Sequence, residues 1–200
     1  MNKNEAIEWA EKIAALLITQ SDRIGNQSMG EQTLMGMASA FSAFKSGNID
    51  ALSPRIEEII LFGSVTKKVG NIGDIDLIVF DKGFYSQVLL SRDSDPLEAY
   101  YEGPCLRENL TTLCDMWFDL SLHEKQLLKK APPVDLHVLP IAILTDKTLR
   151  RGIEQRHHDP RFFENAFSSI LRFEKGSGKF IPISLTDLTN IYSNELSFCE

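Results

Sequence analysis

The sequence predicts an α+β fold, and three observations predict it. Short apolar runs of strand length stand at 59–62, 74–80 and 134–139, each bounded by Gly, Pro or a polar turn. Around them, apolar residues recur three and four apart, the spacing of one helix face. Near the C-terminus, 170–173 and 179–183 flank Gly176-Ser177-Gly178, which reads as a hairpin.

In chain order, 4–20 reads as an amphipathic helix with Ala6, Trp9, Ala10, Ile13, Leu16 and Leu17 on one stripe, and 21–30 as a loop. A second helix is expected at 31–45, carrying Leu34, Met37, Phe41 and Phe44 and ended by Ser46-Gly47-Asn48. That stripe reads as core packing, with an interaction surface as the alternative. Past the strand at 74–80, Asp81 reads as a turn residue and 84–91 as helical; 92–96 is a loop, and Gly103-Pro104 is a break. Helices follow at 106–120, with Leu110, Leu113, Trp117 and Leu120 as its stripe, and at 122–130; Ala131-Pro132-Pro133 then launches the strand at 134–139. Thr145 caps a basic helix holding Lys147, Arg150, Arg151 and Arg156, and Asp159-Pro160 starts another. With His157 and His158 these cations read as a solvated face, an anion contact being the other reading. Ser184 caps a last helix at 185–198. The expected organisation is a helical segment at 1–55, a core at 56–145, and C-terminal helices with a hairpin at 146–200, in one compact unit.

Composition is that of an ordinary soluble globular chain, 43% hydrophobic and 24% charged. No run has the length of a membrane span, and 1–4 lacks the basic and apolar regions of a signal peptide. The three cysteines, Cys105, Cys114 and Cys199, have no metal-ligand spacing and read as reduced thiols of a cytoplasmic protein. A net charge of −7 argues against a protein that tracks long nucleic acids, which usually presents a basic face.

The stretch 57–81 organises the rest. An apolar run ends abruptly at Gly63-Ser64, a polar spacer follows, and Asp74 and Asp76 open the next run. Residues two apart on a strand share a face, so the two carboxylates stand roughly 7 Å apart. Two anions beside a core repel each other and lose hydration unless a cation lies between them. Magnesium suits such a site, since it takes one or two carboxylates plus substrate phosphates. Gly63 permits close backbone approach, while Ser64 offers a hydroxyl and an N–H where a short helix at 65–69 is expected to begin. Alone, Gly63-Ser64 reads equally well as turn chemistry; for the two acids metal ligation is the reading, with turn or cap residues as the alternative.

Taken together, Phe62-Gly63-Ser64, the spacer, and Asp74-Ile75-Asp76-Leu77 resemble the nucleotidyltransferase superfamily typified by DNA polymerase β. That family carries a third acid on a later strand, and Val134-Asp135-Leu136 is the match. The resemblance spans 56–139, under half of the chain; Lys67-Lys68 and Gly73 stand where many small members carry Arg-Gly and Ser.

The resemblance implies a small mixed sheet of nucleotidyltransferase type with helices packed on it, to which the sequence adds an N-terminal helical pair. It implies Mg²⁺, as two ions, held by Asp74, Asp76 and Asp135, with Asp135 helping to deprotonate the attacking hydroxyl. Gly63 and Ser64 would hold the phosphates of a nucleoside triphosphate such as ATP. Lys67 and Lys68 either flank those phosphates or are surface charge. His137 would share the face of Asp135, exposed or hydrogen-bonded. The acceptor, read from size and acidity, is a hydroxyl of a small molecule or a protein. The alternative is a non-catalytic, antitoxin-like binding module that keeps the fold. Either reading leaves room for a protein partner or a homo-oligomer.

Overall fold

A computed structural model describes residues 1–26, 54–67, 70–82, 110–111, 114–115, 117–155 and 161–196. Its centre is a five-stranded mixed sheet with helices on both faces. The strands are β1 (Ile56–Phe62), β2 (Ile75–Asp81), β3 (Val134–Pro140), β4 (Ile170–Glu174) and β5 (Lys179–Ile183), in the order β3-β2-β1-β4-β5. β2 and β3 run parallel; the other pairs are antiparallel.

Strands covered on both sides read as continuous apolar runs rather than alternating ones. That is why 59–62 and 77–80 are uninterrupted, and why in 136–139 only His137 breaks the run. On one face, Ile59, Leu61, Leu77, Val79, Leu136 and Val138 pack against Ala10, Ile13, Ala14 and Leu17 of α1 (Lys3–Asn26). Leu128 of α2 (Leu122–Lys129) and Trp117 join them. On the other face, Ile60, Phe62, Ile78, Phe80 and Leu139 meet Ile153 of α3 (Lys147–Glu154), Phe162 and Phe163 of α4 (Phe162–Phe167), and Leu188 of α5 (Leu185–Leu196). The hairpin and its turn at 175–178 fall where the sequence places them, and Ser184 Oγ accepts the Asp187 N–H at 3.1 Å to start α5.

Several expectations change. α1 runs on through Ser21 to Asn26 instead of ending in a loop, because the Ser21 hydroxyl accepts the Ile56 N–H at 2.8 Å and is buried. Asp81 is the last residue of β2, not a turn residue: its buried carboxylate accepts the Arg55 N–H at 2.8 Å. Asp146, rather than Thr145, caps α3, its carboxylate accepting from Thr148 and Leu149. In the stretch expected as a helix at 106–120, residues 110–111, 114–115 and 117 are helical, but Phe118 is a bend and Asp119 and Leu120 have no regular secondary structure. The expected helices at 31–45 and 84–91, the start at Asp159-Pro160, and Arg156, His157 and His158 lie outside the described residues, so one member of the N-terminal helical pair is in view. Among the described residues, no helix is long and apolar enough to cross a membrane.

One buried charge crosses the second face. Glu58, 2% exposed, accepts from Arg172 Nε of β4 at 2.6 Å and from the Tyr192 hydroxyl of α5 at 2.9 Å. Burial raises its pKa even though Arg172, Tyr192 and the Ile59 N–H all favour the anion. Buried charge of this kind is tolerated when paired and hydrogen-bonded.

Candidate active site

Asp76 and Asp135 are register partners on the parallel strands β2 and β3. Residues in register on neighbouring strands point to the same face, here the face of Ile78, Phe80 and Leu139, covered by α3, α4 and α5. Each is the second residue of its strand and the one position of that strand left partly exposed. Asp74, exposed, sits just before β2. Parallel pairing thus brings together acids that lie far apart in the sequence.

Their proximity registers electrostatically. The Asp76 carboxyl is pushed up to about 6, first by burial and then by the negative charges of Asp74 and Asp135; the Ser64 N–H and the charge on His137 act in the opposite direction. Like charges near one site raise the cost of ionising either.

Phe62, register partner of Asp76, ends β1, and the chain then turns through a single 3₁₀ turn, Gly63–Val65. The helix expected at 65–69 is replaced by this turn as far as Lys67; Lys68 and Val69 lie outside the described residues. Thr66 Oγ1 donates to the Gly63 carbonyl at 3.0 Å, which tightens the corner. Gly63 adopts φ +70, in the left-handed region, and a Cβ there would lie 1.9 Å from Asp76 Oδ2. The glycine is required by the carboxylate beside it. Ser64 then donates its backbone N–H to that carboxylate, while its Oγ is buried without a hydrogen-bond partner among the described residues. A buried hydroxyl in that state is an unused donor facing the corner.

His137 completes the floor of the site. It is fully buried, with its ring tilted against Phe162 (centroids 4.8 Å apart) and Phe62 (5.8 Å), and Nε2 stands 3.4 Å from Asp135 Oδ2. It shares the face of Asp135, as expected, but it belongs to the core and not to the surface. The signal was its place in an apolar run with both strand faces covered, which periodicity alone does not reveal.

Of the expected cations, Lys67 is exposed at the end of the turn and Lys68 lies outside the described residues. Arg150 is committed elsewhere: Nε and Nη2 donate to the Ile143 carbonyl at 2.9 and 2.7 Å, and Nη2 to that of Leu144 at 3.0 Å. Arg151 is exposed on α3.

The donor set, three carboxylates and a hydroxyl, is all oxygen and suits a hard divalent cation. Burial first, and then the charges of Asp74 and Asp135, disfavour the Asp76 anion, and a cation beside it would offset both. Among the described residues, no group of three or more His, Cys, Asp or Glu is gathered to hold a metal ion as the side chains stand. Comparison with protein-family models, with curated proteins and with solved structures finds no match to this chain.

Proposed function

We propose that the chain is a Mg²⁺-dependent nucleotidyltransferase of the polymerase β-like type, moving a nucleoside monophosphate from a triphosphate to a hydroxyl of a small molecule or a protein. The observation that carries the reading is the register pairing of Asp76 with Asp135, with the charge of Asp74 acting on the same carboxyl and the Gly63-Ser64 corner against it. The mixed sheet is read as the sheet of that superfamily, with acids at the start of two adjacent strands.

In this reading Asp74 and Asp76 hold the metal ions that accompany the triphosphate, and Asp135 holds the one nearer the acceptor. When bound, Mg²⁺ supplies charge neutralisation at the phosphates and lowers the pKa of the attacking hydroxyl. The chain's own groups do the rest. Asp135 takes the proton of the acceptor hydroxyl as its oxygen bonds to the α-phosphorus and the bond to the β-phosphate oxygen breaks, releasing pyrophosphate. Ser64 turns its unused hydroxyl to a phosphate oxygen, and Lys67 adds positive charge at the exposed rim. Gly63 keeps the backbone close enough for Ser64 N–H to hold Asp76 in place.

The test is incubation of the purified chain with Mg²⁺, α-labelled nucleoside triphosphates and a cell extract. A labelled acceptor and pyrophosphate, both absent with Asp76→Asn, are expected. No label with any of the four nucleotides, together with a protein that co-purifies tightly, replaces this reading with the binding module.

A further inference from the structure

We propose that His137 is a positioning residue that turns Asp135 into the orientation its role requires. The inference rests on the reading of Asp135 given above and names a residue to which that reading assigns no part.

Asp135 is part-exposed at the start of β3, its side chain 16% accessible. Two residues along the same face, His137 is held in place. Its ring is enclosed, tilted at 57° to Phe162 and at 52° to Phe62, and those two rings meet each other edge-on at 81°. The three rings come from β3, from the end of β1 just before Gly63, and from α4. They fix the imidazole against the same corner that holds Asp76. Nε2 is thereby kept 3.4 Å from Asp135 Oδ2, close enough to draw that oxygen to itself when the carboxylate turns. Engaging Oδ2 leaves Oδ1 to serve the cation and the acceptor proton. Carboxylates that bind metal are commonly held by an outer partner in this way. The action is steric and through a hydrogen bond, and it asks for no change in the charge of the ring.

The test uses Mn²⁺ as the probe, with affinity read from the free-ion resonance signal, on the full chain and on His137→Phe and His137→Gln. Phenylalanine fills the ring's place without a donor; glutamine returns an N–H at a similar reach. His137→Phe is expected to weaken Mn²⁺ binding by about tenfold or more, and His137→Gln to stay within about threefold of the parent, at thermal midpoints that are alike. Parental affinity in a folded His137→Phe overturns the inference and leaves the site reading standing. A parent chain that takes up no Mn²⁺ and transfers no label overturns both. Should His137→Phe fail to fold, nitrogen resonances of the parent's histidines decide: the His137 Nε2 signal, assigned with His137→Gln, is expected to move on saturation with Mg²⁺, and a signal that stays in place overturns the inference.

Discussion

A methyl group on residue 63 would lie 1.9 Å from Oδ2 of Asp76. The first opens the turn after β1 and the second lies on β2, and the first has to be glycine because the second is packed against it. Gly63→Ala must either expel the carboxylate or force the left-handed turn open. It is expected to cost about 1–3 kcal/mol of stability, seen in chemical denaturation, and to lower nucleotidyl transfer at least tenfold. Unchanged activity would mean that the corner does not hold Asp76 for catalysis.

Asp76 carries a pH signature. Its carboxyl sits at about 6 in the folded chain against an ordinary value of 3.8, so the ionised form is disfavoured by folding. The cost is absent below the ordinary value and fully present above about 6. Asp76→Asn removes it and is expected to stabilise the chain at pH 7 by about 1–3 kcal/mol, the gain vanishing near pH 3.5. Thermal midpoints across that range test the sign. In the parent, Mg²⁺ should raise the midpoint at pH 7.5 and lose that effect below about pH 6, where the carboxyl is protonated.

Asp135→Asn separates proton removal from nucleotide binding. Turnover is expected to fall by about 100-fold or more, as for loss of a general base, with the affinity for a Mg²⁺–nucleotide complex changed much less. Equal losses in both would assign Asp135 to binding alone. Single-turnover kinetics against equilibrium nucleotide titration distinguishes the two.

Arg172→Met tests the buried network. Glu58 would keep its Tyr192 hydroxyl but lose the guanidinium that offsets its burial. A loss of about 2–4 kcal/mol is expected from stranding one partner of a largely buried pair. Without Arg172 the Glu58 pKa rises further above the ordinary carboxylate range, so the damage should be greater at pH 8 than at pH 5. A double-mutant cycle with Glu58→Gln measures the coupling.

The parts of the fold written into local pattern were legible. Strands β1 to β3, the terminal hairpin and the Ser184 cap all follow from apolar runs and turn residues. Of the candidate residues, the structure sets Gly63 against Asp76 and pairs Asp76 with Asp135, a neighbour that the resemblance named and that spacing alone did not. What local pattern does not carry is pairing between distant segments. Nothing around Ser21 shows that its hydroxyl meets Ile56 and keeps the helix going, nor that Asp81 is needed by the Arg55 N–H. Nor does anything around Glu58 show that it lies in the core, where Arg172 and Tyr192 come to it. The Gly63-Ser64 corner was read for phosphate; its closest partner in the structure is Asp76 itself.

Glu58 and Arg172 meet across 114 residues, and β1 gains its second neighbour only with β4. During synthesis, therefore, β1 leaves the ribosome long before the segment that closes its free edge. Chains arrested just before residue 170 are expected to digest readily with protease and chains carried past α5 to resist it; equal resistance would show that the early strands close without the late hairpin. In the interval, Glu58 keeps its water and its charge on an otherwise sticky margin, and a charge so placed discourages nascent chains from joining edge to edge. The same carboxylate thus guards the half-made sheet and later becomes part of its interior.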